Sequence, residues 1–343
     1  MTMRTLDERI AMKHGAGGRA MRTLIEQVFV EAFAAPIDGV GLADMDDGAA
    51  FRVGDRWLVI TTDSHVVMPR FFPGGDIGRL AISGTVNDLS MMGAAEPLGL
   101  TCAVVIEEGF SREELLTIER SMRDAAREAG APVVTGDTKV MGRGELDGII
   151  INTTGVAFCD RIVRDSGLRE GDRIVVTGTI GDHGIAVMSK RNDLALEGDL
   201  VSDVAPINAL VRAALAAGGD AVTAMKDPTR GGLASALHEM AQKSKVGVVI
   251  DEPRLPLRTE VRAAAELLGI DPMHIANEGK AVMGVRPDAA DRVLAALRAH
   301  PLGRDAAVIG VCVAERTGSI VLDTGVGRRL LAELDGEPMP RIC

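Results

Sequence analysis

The chain has little with which to grip nucleic acid: its 343 residues include no tyrosine, one tryptophan and seven phenylalanines, and the formal charge is -11. Stacking platforms and a phosphate-neutralising surface are both missing, which excludes a nucleic-acid partner. Cysteine is scarce, four in all, with no CxxC or other paired spacing. This excludes a structural zinc and a disulfide framework, and it fits a reducing compartment. No uncharged apolar run approaches the ~20 residues that span a bilayer, and Met1 to Lys13 lacks the apolar stretch of a secretion signal. A cytoplasmic protein without membrane contact is expected. Neither the Walker phosphate-loop pattern nor the dinucleotide fingerprint occurs, so any nucleotide must be held by other means.

What is present is an ordinary globular composition, 46% hydrophobic and 25% charged, in a chain long enough for two domains with real cores. Residues 1–40 form an N-terminal segment and 41–160 a first domain. Residues 161–325 form a second domain, and 326–343 a C-terminal helix and tail. In the first domain Asp46-Asp47-Gly48-Ala49 precedes one strand and Trp57 to Thr62 forms the next. Asp76 caps a helix that runs through Val86 and Leu89. Leu98 to Ile106 is a strand, and Ser111 with Glu114 opens a helix that Gly130 closes. Val133-Val134-Thr135-Gly136-Asp137-Thr138-Lys139 is a strand running into a polar loop, and Gly148 to Phe158 is another strand. The order β-β-α-β-α-β-β predicts an α+β fold, a mixed sheet with helices on one face.

Three aspartates thus come from different elements, Asp63 and Asp137 at strand ends and Asp88 within a helix, with Asp47 in a turn as a possible fourth. Carboxylates spread over several elements suit Mg²⁺, which takes one or two per ion and completes its shell with water and phosphate oxygen. The acidic charge balance points the same way. His14-Gly15-Ala16-Gly17-Gly18-Arg19 is a donor-rich turn able to fold over phosphates through backbone N–H groups, although taken alone it is simply a loop. In the second domain Asp227-Pro228-Thr229-Arg230-Gly231-Gly232 leads into a helix, which places Arg230 where anions are favoured. Strands are expected at Asp172 to Thr177, Val246 to Ile250, up to Val285, at Ala306 to Val313 and at Ile320 to Leu322. His183, in a turn before a helix, reads as a capping or packing residue.

The C-terminal segment carries the one cysteine expected to be exposed. Val326, Leu330, Leu331 and Leu334 recur at helical spacing and Gly336 is a helix stop, which predicts an amphipathic helix and then an arm ending in Pro338-Met339-Pro340-Arg341-Ile342-Cys343. Cys102, Cys159 and Cys312 lie in apolar strand-like runs and read as small hydrophobes. Arg341 favours the Cys343 thiolate and the neighbouring carboxylate opposes it, so the sequence leaves its reactivity open.

Taken together, Thr61-Thr62-Asp63-Ser64-His65, Gly84-Thr85-Val86-Asn87-Asp88-Leu89, Thr135-Gly136-Asp137-Thr138-Lys139, Asp227-Pro228-Thr229-Arg230-Gly231-Gly232, Asn277-Glu278-Gly279-Lys280 and Pro340-Arg341-Ile342-Cys343 resemble the HypE family of hydrogenase-maturation carbamoyl dehydratases. That family sits within the PurM/AIR-synthase-like ATP enzymes, which also include selenophosphate synthetase and thiamine-phosphate kinase. The match runs over essentially the whole chain, and the terminal cysteine distinguishes it from those relatives. Ala16 departs from the pattern, where serine is more usual.

The resemblance implies a two-domain PurM-like fold that forms a homodimer through its N-terminal domains. It implies ATP and Mg²⁺ held between sheet and glycine turn by Gly15, Gly17, Gly18, Asp47, Asp63, Asn87, Asp88, Gly136, Asp137, Thr138 and Arg230, with Asp47, Asp63, Asp88 and Asp137 as metal ligands. It also implies a carbamoyltransferase partner, HypF, that loads Cys343, and a HypC–HypD iron scaffold that receives the product. The reaction it implies is the ATP-dependent dehydration of S-carbamoyl Cys343 to a thiocyanate. Lys139 would then neutralise transferring phosphate, and Glu278, or less readily His14, would take the nitrogen's protons. Two alternatives stay open: a passive thiol carrier with a structural nucleotide site, and a small-molecule kinase or synthetase of the same group.

Overall fold

The computed structural model describes residues 7–193 and 199–336. The first domain is a six-stranded mixed sheet made of β1 (Gly39–Val40), β2 (Ala49–Val53), β3 (Arg56–His65), β6 (Pro97–Glu107), β7 (Val133–Met141) and β8 (Ile149–Cys159), in the order β1-β2-β3-β8-β6-β7. All pairs are antiparallel except β6 with β7. A short hairpin, β4 (Phe71–Phe72) and β5 (Gly75–Asp76), leads into helix α3 (Ile77–Met91). Strand β8 shows why one face is covered: Ile149, Ile151, Thr153, Ala157 and Cys159 are buried and alternate with half-exposed residues. Helices α3 and α4 (Arg112–Ala129) pack together on that buried face. Asp76 caps α3 by accepting from Arg79 N at 2.9 Å. Ser111 caps α4, and Gly130 ends it with φ +64.

Two expectations fail here. The run Val133 to Lys139 does not pass into a loop, because β7 continues to Met141 in parallel register with β6. As an edge strand it is exposed throughout, so polar side chains cost it nothing. The segment 326–334 is not a helix. Gly325 takes φ +82 and Thr324 N donates to Gly327 O at 2.9 Å, which turns the chain into β15 (Arg328–Leu331), antiparallel to β14 (Ile320–Asp323). Leu331 is buried and Leu330 exposed, a period of two where helical spacing had been read.

The second domain repeats the layered plan with seven strands, β10-β12-β9-β13-β11-β14-β15. They are β9 (Arg173–Val176), β10 (Val222–Lys226), β11 (Gly247–Asp251), β12 (Val282–Val285), β13 (Ala307–Val313) and the pair above. Its helices are α5 (Asp182–Arg191), α6 (Asn208–Gly218), α7 (Gly232–Ser244), α8 (Thr259–Leu268) and α9 (Ala290–Ala299). At the N-terminus, α1 (Arg19–Leu24) and α2 (Glu31–Phe33) are joined by a π-helical stretch, Ile25–Val30. The strands foreseen in this domain are all found, but α6 and β10 had no expectation attached.

The domains share core. Ile77, Leu80 and Ile151 of the first pack in one cluster with Ile185, Val187, Val261 and Ile275 of the second. Asn87, expected at the nucleotide, is instead a pin between domains: Nδ2 donates to Ala205 O and Glu278 O, and Oδ1 accepts from Ile207 N. Asn208 makes the reciprocal reach, donating to Ala95 O and Ala129 O. Replacing Asn87 by alanine strands three buried backbone groups, so we expect a loss of about 3 kcal/mol in urea unfolding. A loss below about 1 kcal/mol would show that the pin is redundant.

Candidate functional site

One cleft, of about 790 Å³, opens between the domains and the N-terminal segment. Strand periodicity sends Thr61, Asp63 and His65 to the α3 side of β3, where the alternate partners of β8 are also buried. From α3, Gly84 and Asp88 present one face at i and i+4. Gly84 has to lack a side chain: a Cβ there would lie 2.6 Å from His65 Nε2. With that space open, His65 Nε2 sits 3.1 Å from Asp63 Oδ2. The Thr61 hydroxyl lies 2.9 Å from Asp47 O and 3.0 Å from Asp88 Oδ2, tying turn, strand and helix together. The second domain adds Asp227 directly after β10, so Asp47, Asp63, Asp88 and Asp227 all line the cleft.

Four carboxyls in one buried pocket perturb one another. Burial, reinforced by the charges of Asp227, Asp63 and Asp47, pushes Asp88 well above the ordinary carboxylate range. Asp227 rises to about 7 through burial and the nearby Asp47, against the pull of Lys226. Asp46 also rises to about 7, through burial and then Asp165 and Asp47. Asp63 goes the other way: burial would raise it, but His65, Arg230 and the Ser64 N–H outweigh burial and hold it at about 2. Lys226 reaches into this cluster, with Nζ 2.5 Å from Asp47 Oδ1 and 3.4 Å from Glu239 Oε2. Its burial favours the neutral amine, yet Asp47, Glu239 and Asp165 keep it firmly charged.

This donor set suits a hard divalent cation. It is all oxygen, the buried Asp47 Oδ2 has no hydrogen-bond partner, and Asp88 and Asp227 are held toward the protonated form by burial and then by anionic neighbours. Among the described residues no three acidic or thiol or imidazole groups form a closed cage. A cation here would have to complete its shell with water and phosphate oxygen.

The remaining walls hold Gly17, Gly18, Arg230 and Glu278 beside an apolar flank of Met21, Ile25, Leu42 and Ile60. Gly17 takes φ +77, and a Cβ there would lie 2.5 Å from Arg230 Cβ, so the glycine turn is pressed against the second domain. Glu278 is buried, and its backbone N–H donates to Asp203 Oδ1 at 3.1 Å.

Other expected site residues lie elsewhere. Gly15 does not line the cleft, and neither does His14, which is buried against Ala11 and Asp7. Gly136, Asp137, Thr138 and Lys139 are on exposed β7, and Asp137 falls in mid-strand where a strand end was expected. Asp137 pairs with Ala103 and Lys139 with Val105, and Ala103 faces Asn152, so both side chains belong to the sheet's helix-free face. Within one chain they are not brought to the other carboxylates. His183 is a packing residue as expected: burial lowers it to about 4, Nδ1 meets Ser202 Oγ at 2.8 Å, and Phe72 stacks edge-on. Cys102, Cys159 and Cys312 are buried, and burial raises the last two to about 11 and about 12, too high for reactive thiolates. Cys343 lies outside the described residues.

Sequence reading missed Asp227 and Lys226 as site residues. The signal for Asp227 was its place next to Arg230 before a helix, whereas Lys226 ends a strand that was not foreseen.

The carboxyl cluster has a pH signature. Asp227 titrates at about 7 in the fold against 3.8 ordinarily, so its protonated form contributes stability that is present at low pH and lost as pH rises through about 7. In chelator, Asp227→Asn is therefore expected to gain on the parent by on the order of 2–3 kcal/mol between pH 5 and pH 8. Chemical denaturation at the two pH values checks this, and an equal difference at both would mean Asp227 is ionised throughout.

Comparison with known proteins bears directly on this cleft. The profile of the AIR synthase related protein N-terminal domain matches residues 45–159, and that of the C-terminal domain matches 169–323. Carbamoyl dehydratase HypE of Rhizobium leguminosarum bv. viciae is 49% identical over 338 residues, 98% of this chain and 95% of that protein. A HypE solved in a HypE–HypF complex superposes with TM-score 0.85 at 43% identity, over 91% of this chain and 99% of that one. A HypE solved in complex with ATP gives TM-score 0.80 at 41% identity, over 98% and 100%. With two AIR synthase related domains in order and near-complete alignment to HypE sequences and structures, the chain belongs to the carbamoyl dehydratase HypE family.

Proposed function

We propose that this protein is an ATP-dependent carbamoyl dehydratase in [NiFe]-hydrogenase maturation that acts on its own Cys343. The observation that carries the reading is the meeting, in one cleft, of a carboxylate cluster suited to a metal–triphosphate with a buried carboxylate, Glu278, beside it. A carbamoyl group on Cys343 would be supplied by HypF, the partner of the solved HypE relative. The cyano group would pass to iron on a HypC–HypD scaffold in the cytoplasm.

The chemistry sets the requirements. An amide oxygen leaves poorly, so it takes the terminal phosphoryl group of ATP, and the phosphorylated oxygen then departs as phosphate. Two N–H protons are given up, the carbon–sulfur bond is kept, and a thiocyanate, ADP and phosphate result. Phosphoryl transfer demands positioning and charge neutralisation above all. Arg230 and the N–H groups of Gly17 and Gly18 would hold the phosphates. Asp47, Asp63, Asp88 and Asp227 would hold Mg²⁺, which when bound neutralises developing phosphate charge. Glu278 would take the nitrogen's protons, its position supported by Asn87 bonding its carbonyl and Asp203 its N–H.

Lys139, Asp137, Gly136 and Thr138 enter this scheme only through a second copy. We propose a homodimer formed by the helix-free faces of two first-domain sheets. Exposed Ile60 and Val134 and the alternation along β8 support such a face. Val134→Glu should then shift sedimentation to the monomer and reduce turnover with it.

For the reaction itself, carbamoylated protein given ATP and Mg²⁺ should lose one water from the C-terminal peptide and release one phosphate per chain. Glu278→Gln should slow this by about 10²–10⁴ while nucleotide affinity persists. Nucleotide binding without mass loss in the parent would instead leave Cys343 a passive carrier.

A further inference from the structure

The point at which the C-terminal arm leaves the fold is bolted to the glycine turn of the cleft. Residues 333–335 lie along the first turn of α1. Arg19 N donates to Leu334 O and Ala20 N to Asp335 O, each at 3.2 Å, so the arm's root satisfies N–H groups that a helix start leaves unpaired. Arg19 Nη2 donates to Glu333 O at 3.1 Å. Glu333 forms an ion pair with Arg22, and both side chains are largely buried. Gln242 of α7 closes the triangle, accepting from Arg22 Nη1 at 2.6 Å and donating to Glu333 Oε2 at 3.1 Å. The neighbouring Arg19–Asp335 pair is 40% and 62% exposed, against 19% and 12% for Arg22–Glu333, so the latter carries the clamp.

The same few residues face the cleft. Gly17, Gly18, Met21 and Arg22 line it, while Glu333 does not. A Cβ on Gly18 would lie 2.6 Å from Leu334 O, and one on Gly17 would strike Arg230. Ser235 Oγ donates to Gly17 O at 2.6 Å. The turn is thus a wedge with the phosphate-binding wall on one side and the arm's root on the other. Any movement of the turn onto a triphosphate must be shared by residues 333–335, which are bonded to it through backbone.

We propose that Glu333 and Arg22 are positioning residues whose ion pair fixes the origin of the arm and links it to the glycine turn, so that occupancy of the cleft and the setting of the arm are thermodynamically coupled. The functional meaning rests on the reading of Cys343 as the reacting residue. From Gly336 the last seven residues reach at most about 25 Å, so the place of the root decides where Cys343 can arrive.

The test uses the full chain without any carbamoyl group, and a non-hydrolysable ATP analogue with Mg²⁺ as the probe. Hydrogen exchange is followed at Arg19, Ala20 and residues 332–336, and analogue affinity is measured by titration. Coupling is reciprocal, so about tenfold slower exchange at the root on binding must be matched by about tenfold weaker binding when the clamp is removed. We expect Glu333→Ala to show both effects, losing the analogue-induced protection, and the swap of Glu333→Gln with Gln242→Glu, which keeps the charge and every hydrogen bond of the triangle with Arg22, to restore them. A root that the analogue does not protect in the parent, or an affinity unchanged in Glu333→Ala, would overturn the coupling. If Glu333→Ala fails to fold, the parent exchange measurement and the swapped pair still decide. No carbamoyl chemistry enters, so this outcome is independent of whether the dehydration assay succeeds.

Discussion

The mutual repulsion of Asp47, Asp63, Asp88 and Asp227 is the constraint around which the molecule is arranged. Left alone, four buried carboxylates would force the domains apart, so the fold supplies compensation on every side. Lys226 inserts a buried ammonium beside Asp47, Glu239 and Asp165. His65 and Arg230 hold Asp63 ionised, while Asp88 and Asp227 keep their protons. The arrangement is poised: a divalent cation with phosphate would displace those protons and convert a destabilising cluster into a binding site.

Such poise requires that the two domains not move freely, because Asp227 comes from one and the other three from the other. The shared core and the paired asparagines Asn87 and Asn208 provide that rigidity. Asn87 also bonds the carbonyl of Glu278 directly, so one side chain sets the domain angle and the proposed base together. The motif Gly84-Thr85-Val86-Asn87-Asp88 thus serves four purposes on a single helix. Gly84 admits His65, Thr85 meets Thr153 in the buried layer at 2.5 Å, Asn87 joins the domains and Asp88 faces the cleft.

The glycine turn forms another wall of the cleft, and the root of the C-terminal segment is bonded behind it. The glycine turn near the N-terminus and the strand root near the C-terminus are hydrogen-bonded to each other. In the proposed reaction the thiol to be modified and the turn proposed to hold phosphate would share one anchor.

By itself, the sequence determined the layered α+β plan, the caps of α3 and α4, the burial of Cys102, Cys159 and Cys312, and the motifs through which the family is legible. Those are local properties, set by periodicity, cap chemistry and residue type within a few positions. Tertiary structure decided what local pattern could not express. Whether 326–334 winds or extends depended on β14 offering a partner, and whether the run 133–139 passes into a loop or stays paired depended on β6. Asn87 was expected at the nucleotide from the family resemblance, but helix geometry turns it toward the second domain. Asp137 and Lys139 were expected at the cleft yet lie away from it, because side-chain direction in a strand follows register with its neighbours. Asp227 and Lys226 became site residues only when a distant strand was laid against the first domain.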